Sequence, residues 1–293
     1  MKEVRKAVIP AAGFGTRFLP ATKVLPKEML PIIDTPTLHY IVEEVVSSGI
    51  QDILIIVNRH KNAIADYFDR ACELEMLLKK AGKSAELKSV EYSAEMANIS
   101  FVRQKEMKGS GQAIQLARSF CEGEPFAVLY GDDLIYNPEK PCLKQLVDAY
   151  MNTSKTILGV QQVPREEVSK YGVIRKGAVK GRYSEVLGFV EKPRVEDAPS
   201  NLVSMGRYVL TPAIFDALDS IAVEDGKELY MTDAIDVIAR TEGVFAYEFE
   251  GKRYDIGDKL GYLRATVEFA LRDEKLKGPF WKYLKGLFET ENY

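Results

Sequence analysis

The chain has little cysteine and less histidine. Its 293 residues hold only Cys72, Cys121 and Cys142, far apart in sequence and odd in number, so neither a disulfide framework nor a cysteine metal site is indicated. They read as reduced, structural thiols of a cytoplasmic protein. The two histidines, His39 and His60, fall in no motif, and packing or helix-surface roles suit them better than general-base chemistry. Charge of one sign is scarce as well. Forty basic against 43 acidic residues leave a net charge of -3, which excludes the broad basic surface that holds nucleic acid by counterion release. No segment approaches the ~20 apolar residues of a membrane span. The opening MKEVRKAVIPAAG meets a glycine loop before the apolar core of a signal peptide could form. Repeats, low-complexity tracts and Pro/Gly/Ser linkers are also missing.

What is present is a composition, 46% hydrophobic and 28% charged, that supports a large buried core. Apolar runs with strand character alternate with amphipathic stretches. Val4–Pro10 is followed by Leu38, Ile41, Val42 and Val45 at helical spacing, then by Asp52–Val57. The pattern recurs as Ile99–Arg103, a helical stretch over Gln112–Phe120, and Pro125–Tyr130. It predicts an α/β chain with a Rossmann-like, three-layer α/β/α arrangement around a mainly parallel sheet. Beyond about residue 155 strands dominate: Thr156–Val163, Gly172–Arg175, Glu185–Val190, Leu202–Leu210 and Phe245–Phe249. With no linker between them, the two halves are expected to form one domain over 1–293, divided near 155 and followed by a helical tail from about 258.

The segment PAAGFGTRFLPATKVLPKEMLP, Pro10 to Pro31, follows the first predicted strand directly. Gly13 and Gly15 permit a tight loop whose N–H groups can approach phosphate oxygens, and Arg17, Lys23 and Lys27 add positive charge. A dinucleotide fingerprint would need glycine where Phe18 stands, and Pro20, Pro26 and Pro31 interrupt the helix it requires. GxxxxGK[ST], the P-loop pattern, is absent. An ordinary glycine turn would account for GxG but not for the flanking LPKE. Further on, YGDD ends an apolar run, so Asp132 and Asp133 are expected at the carboxyl end of a central strand, where open α/β sheets bind ligands. Carboxylates there suit a hard cation that also bridges phosphates. Gln104 ends another strand, and its amide offers one donor and one acceptor.

These motifs resemble the sugar nucleotidyltransferases, in the form carried by bacterial glucose-1-phosphate uridylyltransferases. The likeness runs in order through RQKEMKGSGQA, YGDD, QQVP, KYGVI, FVEKP, GRYVLTP, TDAI and FEGKRYDIGDKLGY, and so covers nearly the whole chain. It implies a nucleotide-binding first half and a sugar-binding second half. The implied reaction takes UTP and glucose 1-phosphate to UDP-glucose and pyrophosphate with Mg²⁺, in a homodimer or homotetramer without nucleic acid or membrane partners. The resemblance gives Arg17, Lys27 and Lys192 to the reacting phosphates. Ala12, Gly13, Gly15, Thr16, Glu28, Gln104 and Gly109 go to the nucleotide, Gly172, Glu191 and Gly206 to the sugar, and Asp132 and Asp255 to the metal. One departure stands out, because Ser110 and Gln112 of GSGQ replace the Leu and His that many relatives carry. Thymidylyl transfer is the nearest alternative, since uracil and thymine present the same amide edge. A non-catalytic sugar-nucleotide sensor should have lost Arg17, Lys27 or Asp132, and all three are present. The end segment PFWKYLKGLF reads as subunit packing rather than a membrane contact.

Overall fold

The computed structural model describes residues 2–224 and 226–290. Its strands are β1 (Lys6–Pro10), β2 (Pro31–Ile32), β3 (Thr35–Pro36), β4 (Asp52–Val57), β5 (Asn98–Arg103), β6 (Phe126–Leu129), β7 (Asp133–Tyr136), β8 (Thr156–Gln162), β9 (Gly172–Lys180), β10 (Tyr183–Glu191), β11 (Leu202–Leu210), β12 (Val244–Glu248) and β13 (Lys252–Asp255). Nine of them form one sheet in the order β5-β4-β1-β6-β11-β8-β12-β10-β9, which runs through both halves of the chain.

The expected mainly parallel sheet requires correction. β5, β4, β1 and β6 are mutually parallel, and β8 runs parallel to β12. The pairs β6–β11, β11–β8, β12–β10 and β10–β9 are antiparallel. A further antiparallel contact, Val203 with Val173, joins β9 back to β11 and closes the second half into a ring. The physical reason lies in the connections. β9 and β10 are linked by a tight turn at Gly181 (φ 59°), which can join only antiparallel neighbours, whereas helices follow β1, β4 and β5 and return the chain for parallel pairing. The sheet is therefore mixed.

Helices lie on both faces of this mixed sheet. Alternate residues of β1 serve opposite faces. Ala7 and Ile9 join a core with Leu38, Ile41 and Leu146, while Val8 joins another with Ile114, Phe215 and Ile235. Helices Thr37–Ser47 and Cys142–Thr153 thus cover one face, and Ala213–Ser220 and Met231–Thr241 the other. Each fully buried aliphatic side chain stabilises by about 1.5–3 kcal/mol, which ties the layers together. The stretch expected as one helix over Gln112–Phe120 is two short ones, Ser110–Gln115 and Arg118–Cys121. Outside the main sheet, β7 and β13 form an antiparallel ribbon that pairs Asp133 with Asp255.

Candidate active site

The carboxyl ends of the parallel strands lie side by side, and the segments after them make the site. Ala11 N–H donates to the Ile56 carbonyl at 2.8 Å, and Gln104 N–H to the Val57 carbonyl at 2.9 Å. The Asn58 amide holds the Ala12 carbonyl at 2.5 Å. Next along the edge, β6 ends before the turn that carries Asp132. This edge is where the topology of an open α/β sheet leaves a crevice for ligands.

The glycine loop leaves β1 through three successive 3₁₀ turns, Thr16–Phe18, Ala21–Lys23 and Lys27–Met29. Gly15 has φ 67°, and a Cβ there would stand 2.9 Å from the Lys27 Cβ. Glycine is thus required both by the left-handed backbone and by the close passage of Lys27. That passage lets the Lys27 ammonium reach Asp132 Oδ2 at 2.5 Å. Burial opposes the charge on Lys27, but Asp132 and Glu28 outweigh it and hold its pKa above the ordinary value. For Asp132 burial again works against ionisation, and Lys27 overcomes it, so the carboxyl stays below its ordinary range. Gly15, Thr16, Arg17, Lys27, Asp132 and Gly257 surround one cavity of about 190 Å³. Arg17 is itself held by the Gly257 carbonyl at 3.3 Å.

Arg17 also borders a larger cavity of about 1000 Å³, with Lys170, Tyr171, Lys192, Arg253 and Asp255. A Cβ on Gly257 would lie 3.1 Å from both Asp132 Oδ2 and Asp255 Oδ1, so two carboxylates converge on one glycine. Asp133 is differently engaged. Arg253 Nε donates to its Oδ1 at 2.7 Å. Burial, then the nearby Asp132 and Asp255, push the Asp133 carboxyl up against the pull of Arg253. Among the described residues no group of three or more His, Cys, Asp or Glu side chains is placed to hold a metal alone. The Asp132–Asp255 pair can instead supply part of the shell of a hard cation whose other ligands are water and phosphate oxygens.

Glu191 ends β10 and Lys192 follows it. Glu191 pairs in register with Gly172, and a Cβ on Gly172 would strike the Phe189 ring at 2.5 Å, 3.3 Å from Glu191 Oε2. Lys192 has φ 43°, a left-handed backbone for a non-glycine residue, of the kind that concentrates at functional sites. Gln104 is buried, and its Nε2 donates to the Gly109 carbonyl at 3.3 Å and to Gln112 Oε1 at 2.6 Å.

Of the expected site residues, Ala12, Gly13, Glu28, Gln104, Gly109, Gly172, Glu191 and Gly206 border neither cavity, and Glu28 and Gly206 have partners of their own. Glu28 is 1% exposed and accepts from Lys61 Nζ at 2.6 and 2.8 Å. Burial pushes Glu28 up and Lys61 down, each toward its neutral form, against their mutual attraction. Gly206 (φ 63°) packs where a side chain would meet Asp133 Oδ2 at 2.7 Å and Tyr130 at 3.2 Å. Lys61, Asn58, Arg253 and Arg207 escaped the reading of the sequence. Arg253 and Arg207 stood inside quoted motifs beside functional residues, whereas nothing in sequence singles out Lys61.

A match to the family described as Nucleotidyl transferase extends over residues 6–271, and the chain belongs to that family. Within it, the similarity is to bacterial UTP–glucose-1-phosphate uridylyltransferases, as the motifs implied. The chain is 52% identical over 287 residues to UTP–glucose-1-phosphate uridylyltransferase 2 of Staphylococcus saprophyticus, covering 98% of this chain and 99% of that one. A UDP-glucose pyrophosphorylase complexed with UDP-glucose matches with a TM-score of 0.84 and 42% identity, over 92% of this chain and 100% of that one. The UTP-bound enzyme from Acinetobacter baumannii matches with a TM-score of 0.88 and 35% identity, over 98% and 100%. Among the described residues no helix is long and apolar enough to cross a membrane.

Proposed function

We propose that the chain transfers the uridylyl group of UTP to glucose 1-phosphate, giving UDP-glucose and pyrophosphate. The observation that carries this is the cavity walled by Gly15, Arg17, Lys27 and Asp132 at the carboxyl edge of the sheet, in a chain similar along its whole length to uridylyltransferases. The donor's phosphates would lie on the loop from Ala12 to Thr16, with the base at Gln104 and Gly109. Gly172 and Glu191 would meet the sugar hydroxyls, while Gly206 packs against Tyr130 and Asp133.

A sugar phosphate is already ionised at neutral pH, so its oxygen attacks the α-phosphorus without a general base. Catalysis then rests on alignment and on offsetting the repulsion of two anions. Arg17 and Lys27 meet the triphosphate, while Lys192 faces the incoming phosphate from the other cavity. Asp132 and Asp255 would hold Mg²⁺, which neutralises phosphate charge when bound. Asp133 is tied to Arg253 and supports the turn. Glu28 acts from within the loop through Lys61. The chain is further read as one domain with a division near 155, cytoplasmic and homo-oligomeric.

The deciding assay is pyrophosphate release from UTP and from dTTP with glucose 1-phosphate, with and without Mg²⁺. Preference for UTP and dependence on the cation are expected. Preference for dTTP would make the chain a thymidylyltransferase, and no release from either would leave a sugar-nucleotide sensor.

A further inference from the structure

The amide of Gln104 is held by two acceptors, one of them a backbone carbonyl that cannot turn. A backbone carbonyl, that of Gly109, faces the amide at 3.3 Å, and a carbonyl only accepts, so the side toward it must be the NH₂ group. The same nitrogen donates to Gln112 Oε1 at 2.6 Å. Both Gln104 hydrogens are thereby consumed inside the protein, and Oε1 alone is left for a ligand. The sequence suggested a donor and an acceptor for the base; the fold keeps only the acceptor. Gly109 cannot shift away, because at φ 96° it packs so tightly that a Cβ would stand 2.3 Å from the Leu229 carbonyl.

We infer that Gln112 is a positioning residue that makes the base site selective for a ring N–H donor. Uracil presents such a donor at N3, and cytosine presents a bare acceptor there. With Gln112 Oε1 in place, cytosine N3 would face Gln104 Oε1, acceptor against acceptor. Removing Gln112 Oε1 takes away the shorter of the two hydrogen bonds that orient the amide and leaves only the 3.3 Å contact to Gly109, so the whole amide can rotate to present its NH₂ to cytosine N3, and rejection weakens. The inference rests on the reading that Gln104 meets the base.

The test compares kcat/KM for UTP and CTP, with glucose 1-phosphate saturating, in the parent and in Gln112→Met, Gln112→Leu and Gln112→Glu. Circular dichroism and the unfolding midpoint establish that each is folded. The two apolar variants should lower the UTP-over-CTP ratio by about tenfold, the worth of one hydrogen bond. Gln112→Glu keeps an acceptor facing Gln104 and should retain the ratio. A ratio unchanged in whichever apolar variant folds, or lowered equally in Gln112→Glu, overturns the inference. Gln104→Ala separates the two claims. If it leaves the KM for UTP unaltered, the base site itself is misplaced. If it raises that KM while the apolar variants keep the parent ratio, only the role of Gln112 falls.

Discussion

Lys192 combines the charge proposed for the incoming phosphate with a backbone that lysine disfavours. At φ 43° an L side chain crowds its own carbonyl by roughly 1–2 kcal/mol, and glycine does not. Lys192→Gly and Lys192→Ala both remove the ammonium and should both lower kcat by about a hundredfold. Thermal unfolding should nevertheless find the glycine variant more stable than the alanine variant by about 1 kcal/mol. Equal stabilities would remove the backbone argument, and equal turnover with the parent the chemical one. Asp132→Asn keeps shape but not charge, and turnover at saturating Mg²⁺ should fall about a hundredfold, equivalent to roughly 3 kcal/mol. Its effect on stability has a defined sign. The Asp132 carboxyl sits below its ordinary pKa of 3.8, so its contribution is complete above that value and is lost as pH falls through the lower folded pKa. In urea unfolding the parent's advantage over Asp132→Asn should stay constant above roughly pH 5 and shrink below it.

At the scale of elements, the turn between β6 and β7 is held from behind by a buried ion pair. Arg207 on β11 is fully buried and bonds Glu44 of helix Thr37–Ser47 at 2.7 Å. The same nitrogen, Nη2, also donates to the Asp133 carbonyl at 2.7 Å, and Nη1 donates to the Tyr130 carbonyl at 3.4 Å, on either side of Asp132. Glu44 in turn accepts from the Leu143 N–H at 2.9 Å, at the start of helix Cys142–Thr153. Arg207→Met should cost about 3–5 kcal/mol in denaturant unfolding, because Glu44 is left charged and buried. The double variant with Glu44→Met should recover part of that loss, and no recovery would mean that the pair is not the source. Helical spacing in Leu38–Val45 and the apolar run before YGDD made these elements legible in sequence. The pair Arg207–Glu44 was not, since its partners stand far apart in the chain and neither residue type is expected inside.

For the molecule as a whole, helix Lys277–Thr290 exposes Trp281 (53%), Tyr283 (62%) and Phe288 (73%). Deleting residues 277–293 should therefore lower the association state in sedimentation velocity while the unfolding midpoint of the remainder changes little. An unaltered association state would overturn the assignment of subunit packing to this helix. By itself the sequence determined the local features: the strand that feeds the glycine loop, the turn that carries paired carboxylates, and the Gln that ends a strand. Each is written in residues a few positions apart, where backbone freedom, apolar periodicity and charge act directly. Only the tertiary structure decided that the sheet is mixed, that Glu28 is spent on Lys61, that Asp133 belongs to Arg253 and Asp132 to Lys27, and that Gln112 accepts from the amide of Gln104. Those outcomes depend on which groups share a space after burial. In that space a charge or an amide must find its partner among neighbours that chain distance does not reveal.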